Sequence, residues 1–84
     1  MIIIGMMKTI SYRLGNRLKV ARAEWALSQD ALAQLVGVTR QTISSIETGQ
    51  YCPSALLAFR LAETLGKRVD ELFFLEAEEK GDTR

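Results

Sequence analysis

Apolar side chains recur with a helical period through most of this chain, interrupted at short intervals by residues that cap or break helices. From Asn16, the positions Leu18, Ala21, Arg22 and Trp25 fall at i, i+3, i+4 and i+7, which predicts a first helix with Trp25 in the core. Leu27 and Ser28 close that element and open the next. Ser28 suits an N-cap, and Asp30 lies in the first turn, where the helix dipole favours negative charge. Leu32, Ala33 and Val36 form the apolar face of the second helix, and Gly37 stops it by reaching positive φ without strain. After only Gly37 and Val38, Thr39 caps a third helix that points Ile43 and Ile46 inward and ends at Gly49. The loop Gln50 to Pro53 leads to Ser54, the N-cap of a fourth helix from Ala55 to Leu65 with Leu57, Ala58, Leu61, Ala62 and Leu65 on one face. Gly66 is its C-terminal stop. A short fifth helix begins near Val69 and Asp70 and includes Leu72. Phe73, Phe74 and Leu75 leave it extended, and Glu76 to Arg84 reads as a frayed, charged end.

The chain before Asn16 has a different character. Ile2 to Tyr12 is β-rich and irregular, consistent with either a loose start or a strand pairing with Phe73–Ala77. The strand is placed around Lys8–Arg13. The expected organisation is an N-terminal extension over 1–15, one domain over 16–75 and an acidic tail over 76–84. The fold class is all-α, a compact bundle of five helices with room for a small sheet where the termini meet.

Composition narrows the function classes. A chain of 84 residues has room for one modest core. No run approaches the roughly 18 apolar residues of a membrane span. Met1 to Met7 lacks the basic leader and cleavage site of a signal peptide, and the single cysteine, Cys52, suits a reducing cytoplasm. Cys52 reads as a loop packing residue rather than a redox sensor. Histidine is absent, which removes the usual general base and the commonest metal ligand, and one cysteine cannot build a structural zinc site. No Gly-rich phosphate loop follows a strand. Neither enzyme, metal site nor cofactor is expected. The net charge of +1 hides an asymmetry: residues 1–69 hold nine basic and four acidic side chains, a net +5, while residues 70–84 hold two and six, a net −4. A basic body with an acidic tail is compatible with phosphate binding.

Gln29 to Gly49 is the informative stretch: helix, tight turn, helix. Two short helices that cross steeply need a small residue where their backbones approach, a flexible turn residue and inward anchors. Ala33, Gly37, Ile43 and Ile46 supply these at consistent spacing. With Ile43 and Ile46 inward at about 100° per residue, Gln41, Ser44, Ser45 and Thr48 point outward. These side chains are polar and uncharged, as suits a helix lying against base edges. Glutamine can pair bidentately with adenine, and Arg40 with guanine.

Leu27-Ser28-Gln29, Leu32-Ala33, the run from Val36 to Gly49, and Pro53-Ser54 together resemble the Cro/phage-repressor (XRE) helix-turn-helix family over roughly Asn16 to Phe73. The resemblance implies five helices, sequence-specific binding of double-stranded DNA and a homodimer. It places base readout at Arg40, Gln41 and Ser45, with Ser44 beside them, and nominates Gln29, Thr39 and Thr42 for phosphate contacts at helix starts. Gln50 and Tyr51, after the third helix, and Arg17 are further phosphate candidates; packing over Pro53 is an equal alternative for Tyr51.

Two charges fall on inward faces. Arg22 lies on the apolar stripe of the first helix and Glu47 beside Ile43 and Ile46 on the third. Isolated buried charges are very costly, so the two are expected to pair, as in relatives, and to orient the recognition helix rather than read bases. Leu56 and Phe59 fall off the main apolar face of the fourth helix, and Phe73, Phe74 and Leu75 exceed the needs of a short tail. These five are the expected dimer surface. The resulting expectation is a dimeric repressor reading a palindrome. The alternative is an antitoxin that also grips a partner toxin, with Phe73–Leu75 as the recruiting segment. A pure interaction module would predict an acidic or bulky recognition face, which Arg40, Gln41, Ser44 and Ser45 do not form.

Overall fold

The computed structural model describes residues 10–79. A strand β1 (Ile10–Asn16) precedes helices α1 (Leu18–Glu24), α2 (Gln29–Val36), α3 (Arg40–Glu47), α4 (Ala55–Thr64) and α5 (Val69–Leu72), and a second strand β2 (Phe73–Glu79) follows. The five helices stand where the periodicity put them, but all-α is only roughly right. β1 and β2 form an antiparallel two-stranded sheet, with Ile10 opposite Glu79 and Asn16 opposite Phe73.

Local chemistry accounts for the helix boundaries. Ser28, Thr39 and Ser54 each accept a hydrogen bond from the backbone N–H three residues on, satisfying a donor that the helix start would otherwise strand. Gly37 ends α2 at φ 78°, in the left-handed region, and its N–H donates to the Ala33 carbonyl. The short α5 is fastened by the Glu71 carboxylate, which accepts from the Arg68 backbone N–H at 2.8 Å.

The inward residues converge on one core. Leu18, Leu32, Val36, Ile43, Ile46, Leu61, Leu65 and Leu72 are almost wholly buried, with Leu14, Leu27, Val38, Ala58 and Val69 packed around them. Each buried Leu or Ile contributes about 2–3 kcal/mol of apolar transfer free energy. This shared core, rather than the propensity of seven- to ten-residue segments, is what holds such short helices.

Four expectations need correction. Trp25 is not a core residue: it is 57% exposed. The chain leaves the helix at Glu24, so Trp25 departs from the α1 stripe, and Ala26 turns it away at φ 56°. The indole instead lies over Gly66 and donates from Nε1 to the Leu65 carbonyl at 2.8 Å, closing the C-terminus of α4. Phe73, assigned to a dimer surface, is buried in the monomer's own core, because β2 starts directly at the end of α5 and turns its first side chain inward. Residues 76–79 are not a frayed tail but the second half of β2. The described part of β1 runs from Ile10 to Asn16, three residues beyond the expected end at Arg13. Lys8 and Thr9, the leader region Met1 to Met7, and the tail residues 80–84 lie outside the described residues.

The sheet is tied to the helices at its inner end. Asn16 Nδ2 donates to the Ile46 carbonyl at 2.9 Å while its Oδ1 accepts from the Leu18 N–H at 3.0 Å, so one side chain joins β1, α1 and the end of α3. The Arg17 N–H donates to the Leu72 carbonyl at 2.9 Å. Gly15 faces Phe74 across the strands with the ring lying directly over it, where any Cβ would collide with the ring carbons. Elsewhere, Glu24 lies 2.9 Å from the Lys67 ammonium. Its hydrogen bond first, and its charge second, hold that group above the ordinary lysine range.

Candidate nucleic-acid interface

α3 is held at three places. Thr39 Oγ1 caps its start by accepting from the Thr42 N–H at 3.2 Å, Ile43 and Ile46 anchor its middle in the core, and Asn16 binds the Ile46 carbonyl near its end. Thr48 Oγ1 donates to the carbonyls of Ser44 and Ser45 at 3.2 and 3.3 Å, and the N–H groups of Gln50 and Tyr51 both reach the Ser45 carbonyl. The helix therefore ends in a closed turn, with Gly49 at φ 79°.

What this helix leaves in solvent is a polar strip. Arg40, Gln41 and Thr48 are exposed; Ser44 and Ser45 are half-buried beside them, and Gln41 Nε2 lies 3.3 Å from Ser45 Oγ. Thr39, Gln50 and Tyr51 are exposed at the two ends of the helix, and Thr42 is half-buried with its hydroxyl 3.1 Å from that of Thr39. No carboxylate belongs to this strip: the only acidic residue of α3, Glu47, is turned inward.

Glu47 organises the base of the site. Arg22 Nε donates to Glu47 Oε2 at 2.8 Å and Nη2 to Oε1 at 3.2 Å, while Nη1 donates to the Leu27 carbonyl at 2.8 Å. The side chains of Arg22 and Glu47 are only 15% and 6% exposed. At such burial a two-point guanidinium–carboxylate contact fixes orientation as well as charge. Gln29 joins the same network: its Nε2 donates to Glu47 Oε1 at 3.1 Å, and its Oε1 accepts from Arg40 Nη1 at 3.3 Å. In this arrangement the Gln29 amide links the buried pair to the arginine at the head of α3. At the level of sequence Gln29 is only a phosphate candidate. Its spacing from Glu47 carries no local signal, because the two meet only when α2 and α3 cross.

The remaining predicted residues lie elsewhere. Arg17 stacks on the Phe74 ring, 4.5 Å from its centroid, where the ring face attracts the cation. A cleft between the sheet and the end of α3 is lined by Arg13, Asn16, Glu47, Thr48, Phe74 and Glu76. Leu56 and Phe59 are largely exposed on α4, Leu75 is exposed and Phe74 half-buried on β2. Among the described residues no cluster of acidic or sulfur side chains is arranged to hold a metal, and no helix is long and apolar enough to cross a membrane.

A capped helix, a three-residue turn and a second helix with a polar outward strip define a helix-turn-helix protein. The sequence profile of the helix-turn-helix family matches residues 18–72, all five helices. YgzD, an HTH-type transcriptional regulator of Bacillus subtilis, is 43% identical over 63 residues, covering 75% of this chain and 96% of its own. An HTH-type transcriptional regulator of Methanocaldococcus jannaschii is 45% identical over 64 residues, covering 76% and 97%. Among solved structures, a putative DNA-binding protein from Bacteroides fragilis superposes with a TM-score of 0.67 at 30% identity, over 73% of this chain and 98% of that one. The restriction-modification controller protein C.AhdI of Aeromonas hydrophila gives 0.62 at 34% identity, over 66% and 80%. This chain belongs to the XRE family of helix-turn-helix DNA-binding transcriptional regulators, which is not a class of enzymes.

Proposed function

We propose that the protein is a cytoplasmic, homodimeric repressor that reads a palindromic operator through the major groove. The observation that carries this reading is the outward strip of α3, polar and free of carboxylate, on a helix whose one acidic residue is neutralised inward by Arg22. Arg40, Gln41, Ser44 and Ser45 contact base edges in this reading. A bidentate arginine–guanine or glutamine–adenine pair contributes about 1–3 kcal/mol of discrimination. Thr39, Thr42, Gln50, Tyr51 and Arg17 contact phosphates, and Gln29 adds a phosphate contact through the second amide N–H, which its bond to Glu47 leaves unused. The exposed apolar residues Leu56, Phe59 and Leu75, with Phe74, support self-association. A two-fold dimer would set recognition helices in successive major grooves, roughly 34 Å apart.

The test is selection from a randomised duplex pool at two salt concentrations, with Gln41→Ala alongside. The expected result is enrichment of a palindrome, weakened by salt and redistributed or lost in the variant. Binding that is absent, or insensitive to salt, would overturn the DNA-reading assignment and redirect attention to a protein partner.

A further inference from the structure

The β1–β2 ribbon separates its side chains by chemistry. Antiparallel pairing sets Tyr12 beside Ala77 and Leu14 beside Leu75 on one face, and Ser11 beside Glu78, Arg13 beside Glu76 and Gly15 beside Phe74 on the other. The apolar face reaches water, with Leu75 70% and Tyr12 48% exposed. On the other face Arg13 Nε donates to Glu76 Oε1 at 2.9 Å, and Nη1 lies 3.9 Å from Glu78 Oε2. Among the described residues each strand pairs only with the other, so both outer edges carry unpaired backbone groups. A two-stranded ribbon gains from a further strand.

The two edges differ in charge. Suppose each strand pairs with itself about a two-fold axis, keeping apolar residues on one face. At the β2 edge, centring on Glu76 or Ala77 sets Glu76 against Glu76 or Glu78 of a second copy, and directly opposed like charges are unfavourable; centring on Leu75 sets Glu76 against Phe74, with no cation across the seam. β1 carries no carboxylate. Centring its self-pairing on Arg13 would abut two guanidinium groups. Centring it on Tyr12 stacks the two tyrosines and sets Arg13 opposite Ser11 of the second copy, whose own cross-strand neighbour is Glu78. Each Arg13 then has Glu76 on its own side and, beyond a small serine, Glu78 of the second copy. This register uses residues 10–14 and leaves Gly15 and Asn16 to Phe74 and the Ile46 carbonyl.

We propose that the outer edge of β1 pairs with the same edge of a second copy, in the Tyr12-centred register, to make a four-stranded antiparallel sheet across the dimer. This deepens the homodimer reading above and rests on it, moving the contact from α4 to the ribbon. Because Asn16 ties β1 to the end of α3, the pairing also sets how the two recognition helices stand relative to each other.

The test uses the full chain with its exposed Cys52 changed to Ser. Tyr12→Cys, Arg13→Cys and Phe59→Cys are each placed under mild oxidation, and sedimentation is measured for the parent, Ser11→Arg and Phe59→Glu. The expected result is a disulfide-linked dimer with Tyr12→Cys and not with the other two. Ser11→Arg gives the introduced cation Glu78 as a partner within its own ribbon, yet sets it against Arg13 twice across the seam. It is expected to weaken the dimer roughly tenfold, while Phe59→Glu leaves the dimer intact. Cross-linking through Arg13→Cys or Phe59→Cys alone, or a dimer lost in Phe59→Glu and unmoved by Ser11→Arg, overturns the ribbon contact and leaves the homodimer reading standing. A parent protein that stays monomeric both free and on DNA overturns both.

Discussion

Replacing Arg22 with alanine removes three hydrogen bonds at once, two to Glu47 and one to the Leu27 carbonyl. Glu47, with its side chain 6% exposed, keeps a single neutral donor, the Gln29 amide. Breaking a buried pair from one side costs about 3–5 kcal/mol, chiefly because the remaining charge is stranded. A domain of this length has a total stability of about 4–12 kcal/mol, so the loss is a large fraction of it. At about 4–8 °C per kcal/mol for a chain of this size, the midpoint should fall by about 12 °C or more. Thermal and urea unfolding followed by circular dichroism measure this directly. The double variant Arg22→Met, Glu47→Leu should recover most of the lost stability, since two apolar side chains of similar volume leave no charge behind. It should still bind DNA less selectively, because Gln29 and Arg40 lose the carboxylate that orders them. A melting temperature for Arg22→Ala within about 2 °C of the parent would refute the reasoning.

Three further outcomes follow from the packing. Gly15→Ala should destabilise the fold by about 1–3 kcal/mol by displacing the Phe74 ring, and a crystal structure of the variant should show Arg17 off its stacked position. Ala26→Gly, at φ 56°, should leave stability unchanged or raise it by up to about 1 kcal/mol in urea titrations, because the left-handed conformation strains a Cβ; a clear loss would show that Ala26 is not strained. Ser54→Ala removes the cap of α4 and should cost about 1 kcal/mol in thermal unfolding while leaving operator affinity of the folded protein unchanged.

Local features are legible in the chain alone. Ser28, Thr39 and Ser54 announce helix starts because each can satisfy a backbone donor three residues away. Gly37 announces a stop because it reaches positive φ without strain, and Ile43 and Ile46 place α3 against the core by periodicity alone. The Arg22–Glu47 contact was legible for a related reason: two inward charges of opposite sign on neighbouring helices have few other ways to avoid burial unpaired. Tertiary structure decided what depends on distant segments meeting. The β1–β2 register joins the two ends of the described chain, and strand patterns do not encode where pairing begins. Phe73 went inside because α5 delivers β2 directly onto the core. Trp25 stayed outside because the chain leaves α1 at Glu24, and the partner its indole then meets, the Leu65 carbonyl, lies forty residues on. Gln29 acquired its second role only when the crossing of α2 and α3 brought Glu47 and Arg40 within reach of one amide. Hydrogen bonds across such separations leave no periodic trace in a chain, since geometry rather than spacing creates them.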